Sequence, residues 1–212
     1  GFTNVSMSNS SLTNWYRNMS GLVNGMYNYT VYAQNTTGAW NRTIRRFATV
    51  DVCTRYIATW GSNSNTGLSL SQAWASLSWA VNSSGQVGPG IKICIVDGTY
   101  YDQSNVLFTP TRSGNSTRPI IVTAYNGTPY FQGRGANVVF IQIGDSGYAP
   151  GSVDYITVSG LSIHNYTYSI FMRNAGHILI ENNTVSNSDD YTDQGNSIWI
   201  KEGSSNITVR NN

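Results

Sequence analysis

Short runs of alternating apolar and polar residues fill the last third of the chain, and they come back at a regular distance. The segment from Tyr155 to Asn165 (YITVSGLSIHN) returns from His177 to Asn187 (HILIENNTVSN), a step of about 22 residues, which is the size of one coiled β repeat. A third, shorter copy from Asn206 to Asn212 arrives about seven residues late, and the polar stretch Ser188–Gln194 reads as an insertion in one turn that causes the delay. Between the copies a second alternation recurs, in Tyr168–Met172 (YSIFM) and in Asn196–Ile200 (NSIWI). A period of two sends every other side chain to the same face. Each repeat therefore predicts two short strands whose Ile, Val and Leu point into a shared interior.

Coils that stack only on their neighbours can be apolar inside and polar outside. The predicted fold is all-β, a right-handed parallel β-helix occupying residues 52–212. The Asn residues at the coil corners, Asn165, Asn183, Asn187 and Asn212, suit left-handed backbone and can stack as hydrogen-bonded ladders. With 21 Gly, 14 Tyr and only 10% charged residues, the composition fits a turn-rich extracellular β protein.

Residues 1–51 differ in character. Asn24–Ala33 alternates strictly, Asn35–Gly38 has turn chemistry, and Asn41–Val50 supplies a second strand, which together predict a β-hairpin. This segment resembles the closing hairpin of immunoglobulin-like or fibronectin-type modules. Only half of such a sandwich is present, so the hairpin is expected to lean on the following domain or on another chain. The start at Gly1 lacks an initiator Met and a signal peptide's apolar run and reads as a processed or truncated chain.

From Tyr56 a more specific likeness begins. Tyr56–Gly67 (YIATWGSNSNTG), Trp74–Val81 (WASLSWAV) and Ile95–Tyr100 (IVDGTY) resemble the opening segment of pectin-lyase-like β-helix proteins. The resemblance covers Tyr56–Asn212 and implies a short helix capping the open end of the coils. Leu70, Trp74, Leu77 and Val81 share one apolar helical face, with Ser69 or Ser71 placed to cap it. The superfamily includes lyases and hydrolases of acidic polysaccharides, and also adhesins, surface-layer components and structural proteins. In wording, the coils are most similar to archaeal cell-surface β-helix proteins, some related to disaggregatases of cell-wall polysaccharide.

Charge and hydropathy each remove one class of partner. The net charge is +2, the arginines are scattered, and the only lysines are Lys92 and Lys201, so nucleic acid is not an expected partner. No run of about 18 apolar residues exists, so no membrane span is expected. Glycosylation sequons begin at Asn4, Asn9, Asn18, Asn28, Asn35, Asn41, Asn82, Asn115, Asn126, Asn165, Asn182 and Asn206. Their density points to a secreted or cell-surface protein carrying N-linked glycans. Asn18, Asn28, Asn35, Asn41, Asn82, Asn115 and Asn126 are expected to face solvent and to be the acceptors. Asn165, Asn182 and Asn206 lie on or beside the stacked strands and are expected to be less available.

Cys53 and Cys94 each sit in an apolar segment; in an oxidising compartment such a pair bonds, and two buried thiols are the alternative. The superfamily layout places the Cys53–Ile57 and Ile93–Val96 strands side by side, which implies a Cys53–Cys94 bridge.

Asp189, Asp190 and Asp193 form the only dense carboxylate cluster. Their spacing is similar to the calcium motif of family 9 pectate lyases, and Ca²⁺ is the one cofactor the resemblance suggests. There a hard cation would bridge a uronate carboxylate and acidify the adjacent sugar C–H. That family also needs an Asp on the preceding coil, where this chain offers His164 and Asn165, and a catalytic Lys on a later coil. Lys201 is the only lysine near the loop. Exposed Tyr and Trp could stack on sugar rings without catalysis. The functional expectation is an extracellular structural or adhesive glycoprotein that assembles with copies of itself into a filament or sheath. The alternative is a calcium-dependent polysaccharide lyase or a polysaccharide-binding module.

Overall fold

The computed structural model describes residues 8–9, 15–16, 25–50, 52–101, 103–144, 153–186 and 196–212. Asn18, Asn187 and the carboxylates Asp189, Asp190 and Asp193 lie outside these described residues. Two compact units divide the chain, Gly1–Val52 and Cys53–Asn212.

In the first unit β1 (Ser8–Asn9) pairs antiparallel with β2 (Trp15–Tyr16). The expected hairpin is present as two successive ladders along its arms. β3 (Gly25–Tyr29) pairs with β6 (Arg46–Val50), and β4 (Tyr32–Gln34) with β5 (Trp40–Arg42). Tyr29 faces Arg46 whereas Tyr32 faces Arg42, so the returning arm carries one extra residue, a β-bulge. Thr43 secures it, accepting from the Val31 N–H at 3.0 Å and donating its own N–H to the Val31 carbonyl at 2.9 Å.

The second unit consists of β7 (Arg55–Ile57), α1 (Leu77–Asn82), β8 (Lys92–Val96), β9 (Thr99–Tyr101), β10 (Val106–Phe108), β11 (Ile120–Tyr125), β12 (Tyr130–Ile143), β13 (Val153–Asp154), β14 (Ile156–Ser159), β15 (Ser162–Met172), β16 (Ala175–Glu181), β17 (Thr184–Ser186), β18 (Asn196–Ile200) and β19 (Ser205–Arg210). It is nearly all β, and every strand pair among its described residues is parallel. The chain passes back and forth between two sheets. One holds β7, β8, β11, β13, β14, β16 and β19, and the other β9, β10, β12, β15, β17 and β18.

Alternation fixes what lies between the sheets. Ile93, Val122, Val158 and Ile180 occupy one register column and are fully buried, so each strand sets an aliphatic side chain on the one before. Val209 continues that column at the edge strand and is 43% exposed. A second column is aromatic: Tyr100, Phe131, Phe140 and Tyr166 follow one another with ring centroids 4.9, 4.6 and 5.0 Å apart. The spacing along the chain between stacked partners varies from one strand pair to the next. Thr54 meets Lys92 across 38 residues, Thr123 meets Ser159 across 36, Leu161 meets Asn183 across 22, and Asn183 meets Asn212 across 29. Six residues of the delay seen in sequence fall between Ser186 and Asn196, where the register offset rises from 22 to 28, and one more falls between Ile200 and Ser205, where it reaches 29.

Two expectations need correction. The apolar face over 70–81 is not one helix: Leu70–Gln72 is a 3-10 turn, and only Leu77–Asn82 is α-helical, capped by Ser76, whose Oγ accepts from the Trp79 N–H at 3.0 Å. Trp74 sits between them as a strand-like bridge to Ile57, its N–H donating to the Tyr56 carbonyl and its carbonyl accepting from the Ala58 N–H. Its indole N–H donates to the Asn65 carbonyl at 2.8 Å, which buries the ring in the first coil. Backbone pairing with β7 overrides the helical spacing, and Leu70 is left 39% exposed.

At the corners, Asn165 is left-handed as expected, but in the Asn-Asn pairs the first residue takes that conformation, Asn182 at φ 55° and Asn211 at φ 54°. The second turns inward and makes the ladder. Asn183, 3% exposed, donates from Nδ2 to the Val158 carbonyl and to Asn212 Oδ1, and accepts at Oδ1 from the Leu161 N–H. Asn212 repeats the motif by donating to the Ile180 carbonyl at 3.0 Å.

Cys53 and Cys94 are joined, with Cα atoms 5.7 Å apart, at the junction of β7 and β8. No helix among the described residues is long and apolar enough to cross a membrane.

Candidate functional site

The side chains that point away from the core on the second sheet make its most chemically distinctive surface. In β15 and β18, Ile170 and Ile198 turn inward, which by alternation turns Phe171 and Trp199 outward as register partners. The Tyr168 and Trp199 rings lie 4.8 Å apart, and Phe171 meets the Trp199 indole edge-on at 5.5 Å. Lys201, two positions beyond Trp199, places its Nζ 4.4 Å from the indole centroid. The ring's electron-rich face attracts that charge by about 0.5–1 kcal/mol at a partly exposed site. The result is a half-buried aromatic platform with a cation on it. The sequence singled out Lys201 but missed its partner, although a two-residue spacing on a strand was signal enough to put both on one side.

A polar row crosses the other end of the same sheet. Tyr101, Gln132, His164 and Ser186 are register partners on β9, β12, β15 and β17. The His164 ring stacks on Tyr130 at 4.3 Å and is held at both nitrogens, Nε2 to Ser162 Oγ and Nδ1 to Ser186 Oγ, each at 2.6 Å. A neutral imidazole donates at one nitrogen and accepts at the other, so one serine hydroxyl donates and the other accepts. Nucleophile activation needs a third group orienting the base, commonly a carboxylate, and here a serine hydroxyl fills that position. The row is a polar ladder.

Burial pushes the His164 imidazole below its ordinary value. The unfolded chain therefore takes up this proton at a higher pH than the folded one, and stability is lost as pH falls below the usual imidazole range. Urea midpoints should decline between about pH 6.5 and 5, and His164→Gln should flatten that decline. An identical slope in the variant would assign the loss to other groups.

Between these two regions the strand bends. β12 changes register against β15 between Gln132 and Val139, and at the bend Asn165 donates from Nδ2 to the Gly133 carbonyl at 3.1 Å. A Cβ on Gly133 would lie 2.2 Å from the Asn165 carbonyl oxygen, so only glycine permits this approach. Gln103, Ser104, Gly133, Arg134, Val138 and Tyr166 line a cleft there.

The described acids are largely engaged. Glu181 pairs with Arg210 at 2.7 Å, Glu202 with Arg173, and Asp154 with His177 at 3.3 Å. No group of three metal-ligating side chains occurs among the described residues. Of the expected acceptors, Asn28, Asn35, Asn41, Asn115 and Asn126 are exposed. Asn82 departs from expectation, because its amide is clamped between Asn105 and Leu107. Asn182 and Asn206, expected to be less available, are exposed; Asn206 reaches His177 Nε2 at 3.2 Å.

These features define an all-β protein with stacked parallel sheets and an aromatic, lysine-bearing outer face. No family model matches the chain, and no curated protein matches it. Among solved structures it is similar to a rhamnogalacturonan lyase, with a TM-score of 0.50 and 15% identity over 74% of this chain and 50% of that one. It thus spans about half that lyase's length, and the likeness is one of fold. A GH136 lacto-N-biosidase from Eubacterium ramulus also resembles it, with 17% identity, a TM-score of 0.41, and coverage of 74% of this chain and 33% of that one.

Proposed function

We propose that residues 53–212 form a right-handed parallel β-helix that binds an acidic polysaccharide outside the cell. The observation that carries this reading is the Tyr168–Phe171–Trp199 platform with Lys201 over the indole. Aromatic faces stack on sugar C–H surfaces, and a lysine within reach supplies a charge partner for a uronate carboxylate. The Cys53–Cys94 disulfide and the many sequons support an oxidising, extracellular setting. Lys201 serves charge recognition in this reading, and Ca²⁺ held by Asp189, Asp190 and Asp193 would add a bridge to the same carboxylates. The likeness of coil wording to archaeal cell-surface proteins supports a cell-surface setting in this reading, with residues 1–51 as an immunoglobulin-like segment that precedes the binding module in sequence.

Affinity electrophoresis in polygalacturonate against a neutral glucan tests the proposal. The polyuronate should retard the protein in a salt-sensitive way, and Trp199→Ala should weaken retention roughly tenfold, the effect of about 1.4 kcal/mol of lost stacking. Equal retention of both proteins would sink the platform, and release of unsaturated uronates would move the assignment to a lyase.

A specific observation keeps self-assembly as a second reading. Among the described residues β18 and β19 each pair with one strand only and leave Ile200 45% and Val209 43% exposed, and strand addition by another copy would cover them. Sedimentation of the same sample decides it, since a monomer at every concentration excludes a filament subunit.

A further inference from the structure

Sequence gives the sequons equal standing, but their amides are held very differently. Asn35 Oδ1 accepts from the Thr37 N–H at 3.1 Å, the Thr37 hydroxyl at 2.8 Å and the Ala39 N–H at 2.8 Å. Asn115 Oδ1 accepts from the Thr117 N–H at 3.2 Å, the Thr117 hydroxyl at 3.0 Å and the Arg118 N–H at 2.9 Å. The two turns belong to different units and share no sequence beyond the sequon, yet the +2 threonine closes both in the same way. Three donors on the oxygen fix the amide plane and leave Nδ2 facing solvent, with no partner among the described residues. Both Asn residues are exposed.

Asn82 has the opposite arrangement. Its Nδ2 donates to the Asn105 carbonyl at 2.6 Å and its Oδ1 accepts from the Leu107 N–H at 2.9 Å, so both ends of the amide tie α1 to the start of β10. Asn165 likewise spends its Nδ2 on the Gly133 carbonyl at 3.1 Å.

We infer that Asn35 and Asn115 are N-glycan acceptor sites presented by the folded protein, and that Asn82 is closed to modification until the chain unfolds. The donor is a polyprenyl-diphosphate-linked oligosaccharide. The Asn Nδ2–C1 bond forms as the C1–O bond to the diphosphate breaks, the polyprenyl diphosphate leaves with the electron pair, and Nδ2 releases one proton to a base on the transferase. Donors on Oδ1 stabilise negative charge there and so ease loss of that proton. At Asn82 the reaction would require giving up both hydrogen bonds to the backbone and parting the end of α1 from the start of β10.

The test is glycosylation in vitro by an oligosaccharyltransferase with its lipid-linked donor, on the disulfide-bonded folded chain and on the reduced, urea-unfolded chain after dilution into the assay. Glycopeptides are then mapped by mass. Expected in the folded sample is glycan at Asn35 and Asn115, with Asn82 at least tenfold lower; in the unfolded sample Asn82 rises to within a few-fold of Asn115. Three results would overturn the inference: Asn82 filled as fully as Asn115 in the folded chain, Asn35 or Asn115 bare when folded yet filled when unfolded, or Asn82 bare in both samples.

Discussion

Phe131→Ala will lower the stability of the chain by about 3–5 kcal/mol, the range for removing a large aromatic from a packed interior. Phe131 is fully buried at the middle of the aromatic column, stacked on Tyr100 at 4.9 Å and tilted against Phe140 at 4.6 Å. Those rings belong to β9 and β12, and β12 is flanked by β9 and β10 on one side and by β15 on the other, so the void cannot be closed by moving a loop inward. Tyr100 gains a second liability from it. Its hydroxyl donates to the Val96 carbonyl at 2.7 Å, and burial together with nearby Asp97 raises the phenol above its ordinary range, so the ring cannot rotate into the void without stranding that hydroxyl. Urea titration followed by circular dichroism should show a lower midpoint with an unchanged slope, and Phe131→Leu should recover roughly half of the loss. A stability within about 0.5 kcal/mol of the parent would mean that the aromatic column contributes nothing special.

The second large effect belongs to the disulfide. Cys53 and Cys94 are separated by 41 positions, and closing a loop of that size in the unfolded chain contributes about 4 kcal/mol on the entropic account. Cys53→Ala with Cys94→Ala should therefore lower Tm by roughly 8–16 °C for a chain of this size. The paired change avoids leaving one reactive thiol beside a buried alanine. The bridge ties β7, the first strand of its sheet, to β8, so its loss also frees the segment that carries Trp74. Coincident melting of the two proteins would show that the unfolded chain is already held compact around this loop.

Much of the fold is legible in the sequence because the strand period is local. The Ile178 and Ile180 alternation, the return of Tyr155–Asn165 at His177–Asn187, and the late third copy all survive as observed register, with Leu161 meeting Asn183 across 22 residues and Asn183 meeting Asn212 across 29. What was lost depends on contacts between distant residues. Trp74 fits a helical face by spacing, and only its bridge to Ile57 makes it a strand residue. Asn182 and Asn183 are chemically alike, and which of them turns inward is decided by the neighbouring coils, through the Val158 carbonyl and Asn212. Asn82 carries an ordinary sequon, and its closure needs Asn105 and Leu107, more than 20 residues away. The candidate site divides in the same manner. Trp199 and Lys201 share a face by strand period alone, whereas the approach of Tyr168 and Phe171 requires the pairing of β15 with β18.

The unequal spans between stacked partners, 38, 36, 22 and 29 residues, carry a consequence for how such a protein can change over generations. Its sheets constrain only the few residues of each strand, and the connections between strands are free to differ in length from one coil to the next. Insertions and deletions at those corners leave the buried columns of Ile93, Val122, Val158 and Ile180 undisturbed. A lineage built on this scaffold can therefore gain or shed whole surface loops, and the chemistry they bring, while the interior keeps the same few aliphatic side chains.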